Sequence, residues 1–116
     1  MKNIQKKIKE FCGQHNLESS PEHHLLDTVS ELGELAKEVL KMSEYGKKTP
    51  EFRKEAASEL GDTLYSLIRV ANSLDVDLEE ALEEALAKYR KRLEKGRAGS
   101  ESEDVHSEKE QKPRVV

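Results

Sequence analysis

Two pairs of carboxylates, Glu31-x-x-Glu34 and Glu59-x-x-Asp62, are the residues here whose type and spacing can do chemistry. Positions three apart in a helix lie on one face, about a turn apart. Each pair therefore offers two oxygen donors on the same side of its element. Converging carboxylates repel one another, which raises some of their pKa values and costs stability. A hard cation removes that repulsion. Mg²⁺ takes oxygen ligands in octahedral geometry and is usually held by one or two carboxylates together with substrate phosphates. Two such pairs around a shared gap suit one or more Mg²⁺ ions that also grip a triphosphate. The competing reading is a solvated bundle surface, on which Lys37 and Lys41 partner Glu34 and Glu38 at helical spacing.

The elements that must position these groups are helices. Ile4, Ile8, Phe11 and Cys12 recur at helical spacing over residues 2–15. Gly13, Asn16 and the run Ser19-Ser20-Pro21 interrupt that pattern. A second helix starts there, with Ser19 or Ser20 as N-cap and Pro21 in its first turn, and runs to about Glu44, before Gly46. A third is expected from Thr49 as N-cap and Pro50 at the first position to about Leu74. Asp77 and Glu80 form a capping box for a fourth, ending near Gly96.

On the second helix Leu25, Val29, Leu32, Leu35, Ala36, Val39 and Leu40 form an apolar arc, with Asp27, Glu31, Glu34 and Glu38 in a stripe beside it. On the third, Leu60, Leu64, Leu67, Ile68, Ala71 and Leu74 form the arc, with Glu55, Glu59 and Asp62 alongside and Ser66 after them. For an antiparallel pair on a common core, one of the two handed arrangements turns the stripes toward each other. Short loops favour antiparallel neighbours, and no strand-like alternation occurs, so the expected fold is an all-α four-helix bundle.

Composition narrows the function classes. In a chain of 116 residues, apolar residues are 34% and charged residues 38%, a thin core for one domain. Some apolar surface is therefore expected to be buried between subunits of a homo-oligomer. A net charge of −4 argues against a broad basic surface for nucleic acid, although a metal can still mediate contact with an anionic substrate. Cys12 is alone, so no internal disulfide forms and no zinc-ligand spacing exists. The segment MKNIQKKIKEF has no apolar run, so neither a signal peptide nor a membrane span is expected, and the location expected is the cytoplasm. The domain is expected over residues 1–96. Residues 97–116 are polar and charged and read as a disordered tail.

SELGELAKEV (residues 30–39) followed by ASELGDTLYSLIRVANSL (57–74) resembles the MazG-type members of the all-α nucleoside triphosphate pyrophosphatase superfamily. The segment VDLEEALEEALAKYRKRLEKG (76–96) is similar to that family's fourth helix with its Lys-aromatic-x-x-Arg run. The resemblance spans residues 20–96. It implies a MazG-like bundle, assembled as a homodimer or homotetramer, that cleaves a nucleoside triphosphate between its α and β phosphates, releasing a monophosphate and pyrophosphate. It further implies Glu31, Glu34, Glu59 and Asp62 as ligands of catalytic Mg²⁺, with Mn²⁺ as a substitute, and Lys88 and Arg92 as phosphate contacts. One of the glutamates, Glu38 and Glu55 included, would orient the attacking water. Asn72 is a candidate nucleotide contact. His23 and His24 read as exposed first-turn residues, Tyr65 and Tyr89 as core or subunit contacts, and Gly33 and Gly61 as sites of close helix packing.

The sequence carries no Trp, so relatives that stack a pyrimidine on tryptophan give little guidance on the base. Two alternatives to a nucleotide-pool housecleaning enzyme stand beside it. One is a phosphoribosyl-ATP pyrophosphohydrolase, and the other is a non-enzymatic helical interaction module.

Overall fold

The computed structural model describes residues 1–99, and within them the chain forms four helices and no strand. They are α1 (Lys2–Gln14), α2 (Pro21–Met42), α3 (Lys54–Ser73) and α4 (Leu78–Gly99). Among the described residues no helix is long and apolar enough to cross a membrane. The first compact unit is Met1–Leu78, and a second begins at Glu79. The fourth helix runs three residues past Gly96. The rest of the segment read as a tail, 100–116, lies outside the described residues.

Local chemistry explains most boundaries. Asn16, at φ 55°, turns the chain left-handed after α1, and the Leu17 amide returns to the Cys12 carbonyl at 2.9 Å. Ser20, not Ser19, caps α2: its hydroxyl accepts the His23 amide at 3.1 Å, while Ser19 Oγ pairs with His23 Nδ1 at 2.7 Å. Glu44, Tyr45 and Gly46 all take positive φ, so α2 stops at Met42. The third helix does not begin at Thr49-Pro50 as expected. The Glu51 amide donates to the Met42 carbonyl at 2.8 Å, and Arg53 stays extended at φ −123°, ψ 129°, so that α3 starts only at Lys54.

Pairwise contacts define the packing. Going backward along α2 and forward along α3, Glu38 meets Arg53, Glu31 meets Glu59 and Asp62, and His24 shares a cavity with Arg69. The two helices are therefore antiparallel. Helix α1 crosses onto α3 in the same sense: Cys12 Sγ lies 3.7 Å from the Tyr65 hydroxyl, and Gln5 reaches Asn72. Gln5 is a buried polar hub. Its Nε2 donates to Asn72 Oδ1 at 3.1 Å and to the Val76 carbonyl at 2.8 Å. Its Oε1 accepts the Leu78 amide at 2.9 Å, and its own carbonyl accepts Asn72 Nδ2 at 3.0 Å.

The faces in contact coincide only in part with the leucine arcs. On α2 the buried residues are His24, Thr28 and Glu38, and on α3 they are Ala56, Ser66, Ile68 and Ala71. Val29, Leu32, Leu60 and Leu64 are 60%, 53%, 58% and 43% exposed, and Ile68 is the largest side chain fully buried. The expectation that the arcs rest on a core common to both helices holds within the chain only for Ile68 and Ala71 of the α3 arc. The small and polar faces let the two helices meet, and the leucines remain outside. Two further expectations change. His24 is buried at 4% exposure, and a Cβ on Gly33 or Gly61 would meet nothing within 4 Å among the described residues, so close packing at either glycine is not seen there.

Candidate metal centre

The α2–α3 interface brings the carboxylates together because the register that pairs Glu38 with Arg53 also sets Glu31 opposite Glu59, two turns away. One carboxylate oxygen each from Glu31, Glu59 and Asp62 lies within 4.8 Å of the others. Glu31 and Glu59 are half-buried and Asp62 is exposed, so the cluster opens to solvent on one side. Glu34 stands outside this group of three, with its Oε1 3.8 Å from Lys37 Nζ. The Glu59 carboxyl is held above its ordinary value, first by burial and then by the charges of Asp62, Glu31 and Glu34, with a hydrogen bond that Glu59 donates to Glu31 when protonated adding to the effect. Glu34 thus still acts on the cluster through its charge. A set of hard oxygen donors that repel one another suits a divalent cation.

The flanking acids behave differently. Glu38 is 9% exposed and accepts a hydrogen bond from Arg53 Nε at 3.2 Å, with Arg53 Nη2 at 3.1 Å and Lys41 Nζ at 3.6 Å as ion-pair partners. Burial alone would raise its pKa, but the Arg53 hydrogen bond and the Lys41 and Arg53 charges outweigh it and hold the carboxyl below its ordinary value. Glu55 lies 3.9 Å from the same guanidinium. With its pKa lowered where that of Glu59 is raised, Glu38 is a poorer proton acceptor than Glu59. Arg53 escaped sequence reading because its partner is fifteen residues away across a loop that follows no helical spacing.

The other sequence candidates lie elsewhere. Asn72 sits ten residues beyond Asp62, about 15 Å along α3, where it ties α1 to α3 through Gln5. Lys88 and Arg92 flank Tyr89 on α4, with Lys88 Nζ 5.8 Å and Arg92 Cζ 5.4 Å from its ring centroid. They belong to the second unit, whereas the carboxylates belong to the first.

Comparison with known proteins identifies the family. Residues 19–96 match the MazG nucleotide pyrophosphohydrolase domain, a stretch that contains both carboxylate pairs. The Bacillus subtilis protein YpjD is 39% identical over 94 residues, covering 79% of this chain and 85% of that one. A crystal structure of YpjD superposes with a TM-score of 0.64 at 39% identity, over 77% of this chain and 91% of that one. The crystal structure of a Bacillus-conserved MazG protein, a nucleotide pyrophosphohydrolase, also gives 0.64, at 35% identity, over 76% of this chain and 86% of that one. The chain belongs to the MazG nucleotide pyrophosphohydrolase family. Its fold is the all-α MazG fold and it is a pyrophosphohydrolase, which replaces the reading as a non-enzymatic interaction module.

Proposed function

We propose that this protein hydrolyses nucleoside triphosphates between the α and β phosphates, with Mg²⁺, to a monophosphate and pyrophosphate, and so clears unwanted nucleotides from the pool. The observation that carries the reading is the convergence of Glu31, Glu59 and Asp62 from two helices of a chain in this family. Glu31, Glu34, Glu59 and Asp62 would hold the cation, with Mn²⁺ as its substitute. Bound there, Mg²⁺ supplies neutralisation of phosphate charge and a more acidic water. The chain's own residues supply the rest. The antiparallel register of α2 and α3 fixes the carboxylates, and a cluster glutamate orients the water, since Glu38 and Glu55 are turned to Arg53. Lys88 and Arg92 contact phosphate oxygens. Asn72 contacts the nucleotide through the amide hydrogen and lone pair that Gln5 does not use.

The same proposal includes a second copy of the chain. Val29, Leu32, Leu60 and Leu64 of the arcs, left 43–60% exposed, beside a core in which Ile68 is the one large fully buried side chain among the described residues, fit a homodimer or homotetramer that covers them. The experiment is a panel of canonical, deoxy and damaged nucleoside triphosphates, with phosphoribosyl-ATP, incubated with Mg²⁺ and the products resolved. Monophosphate with pyrophosphate is expected. Orthophosphate with diphosphate would contradict the cleavage position. Turnover of phosphoribosyl-ATP alone would move the enzyme to biosynthesis.

A further inference from the structure

The two helices that carry the carboxylates meet over surfaces that do little to fix their register. Thr28 of α2 and Ala56, Ser66 and Ala71 of α3 are small buried side chains, and Ile68 is the one large side chain fully buried among the described residues. Steric register between helices comes from side chains seated in the neighbour's grooves, and ridges this shallow resist sliding weakly. The cluster opposes the register it needs. One oxygen each of Glu31, Glu59 and Asp62 lies within 4.8 Å of the others, and these groups repel across the interface.

Two turns along α2 from Glu31, the buried carboxylate of Glu38 meets Arg53, the residue that precedes α3. Arg53 Nε, at 3.2 Å, and Nη2, at 3.1 Å, both approach Glu38 Oε1, and Lys41 Nζ lies 3.6 Å from Oε2. The backbone places the guanidinium: the Glu51 amide returns to the Met42 carbonyl at 2.8 Å, and Arg53, extended at φ −123°, reaches back to Glu38. Exchanging a buried ion pair for apolar side chains of like size is often neutral for stability, so the best-attested use of such a pair is to fix register. We propose that Glu38 and Arg53 are positioning residues, whose pair holds α2 and α3 in the register that sets Glu31 against Glu59 and Asp62. On the reading of that cluster as the metal centre, on which this consequence rests, the pair tightens the hold on the cation. Glu38 and Glu31 share one unbroken helix, so a slip of a turn at the pair, about 5.4 Å, is carried in full to the cluster.

The test pairs Glu38→Met with Arg53→Met in the full chain, which removes both charges together and strands neither. Two quantities are read by electron paramagnetic resonance, both without nucleotide. One is the distance, in EDTA, between spin labels on Ala36→Cys and Ser58→Cys, exposed positions of α2 and α3, in a Cys12→Ser background with labelled chains diluted in unlabelled ones. The other is the affinity for Mn²⁺. In the double variant the distance is expected to broaden or shift, by up to about 5.4 Å. Its Kd for Mn²⁺ is expected to rise about tenfold or more, at a thermal midpoint near that of wild type. Arg53→Lys, which keeps the charge and loses the two-nitrogen grip, is expected to fall between, and it carries the test should the double variant not fold. A distance identical to wild type would show that packing sets the register and overturn the proposal, and so would a shifted distance with Mn²⁺ affinity unchanged. Wild type that binds no Mn²⁺ would sink the metal-centre reading alone, and the distances would then decide whether the pair holds the register.

Discussion

Glu59 is the residue on which burial and like charge fall together, with Asp62, Glu31 and Glu34 all acting on it. Removing its charge is therefore expected to raise the thermal midpoint of the metal-free protein, read by circular dichroism in EDTA. Saturating Mg²⁺ should stabilise the wild type, by about 2.7 kcal/mol at a hundredfold excess over Kd, and leave Glu59→Gln unmoved. Glu38 presents the opposite sign. Its folded pKa lies below its ordinary 4.5, so the folded state releases this proton more readily than the unfolded chain. The stability it contributes is fully present above 4.5 and is lost as pH falls through the folded value. Midpoints measured against pH should drop over that acid window in the wild type, and the drop should be smaller in Glu38→Gln. The acidic pairs were legible from type and spacing alone. That Glu38 is sealed against Arg53 was not, because a pair across a loop leaves no periodic trace.

At the scale of elements, helix existence followed from apolar periodicity and turn chemistry, whereas α3's start did not. Thr49-Pro50 is a sound local start signal, but Glu51 and Arg53 are drawn back to Met42 and Glu38 by tertiary contacts. Gln5 makes the same point in α1. Nothing in KNIQKKIKEF marks it as the residue that joins α1, α3 and the first amide of α4. Gln5→Leu should cost about 3 kcal/mol, since it strands partners that are part-buried. Urea unfolding of the full chain checks this, and a midpoint equal to wild type would show the network to be dispensable.

For the whole molecule, the apolar arcs could be read as stripes but not assigned to the inside of the chain or to a neighbour, because a helical wheel does not say which copy covers it. The structure turns small and polar faces inward and leaves Val29, Leu32, Leu60 and Leu64 outside. Burying one such side chain is worth about 1.5–3 kcal/mol, so Leu64→Glu should dissociate the assembly, read by sedimentation as a shift toward monomer mass. A monomeric wild type would contradict the oligomer. The central claim, that the carboxylates of α2 and α3 form a catalytic metal centre, is tested most directly by pyrophosphate release measured against Mg²⁺ concentration for wild type, Glu59→Gln and, outside the cluster, Glu55→Gln. Release should require Mg²⁺, fall about a thousandfold in Glu59→Gln, as several kcal/mol of lost charge stabilisation demands, and persist in Glu55→Gln. Release that continues in EDTA, or at the wild-type rate in Glu59→Gln, would contradict it.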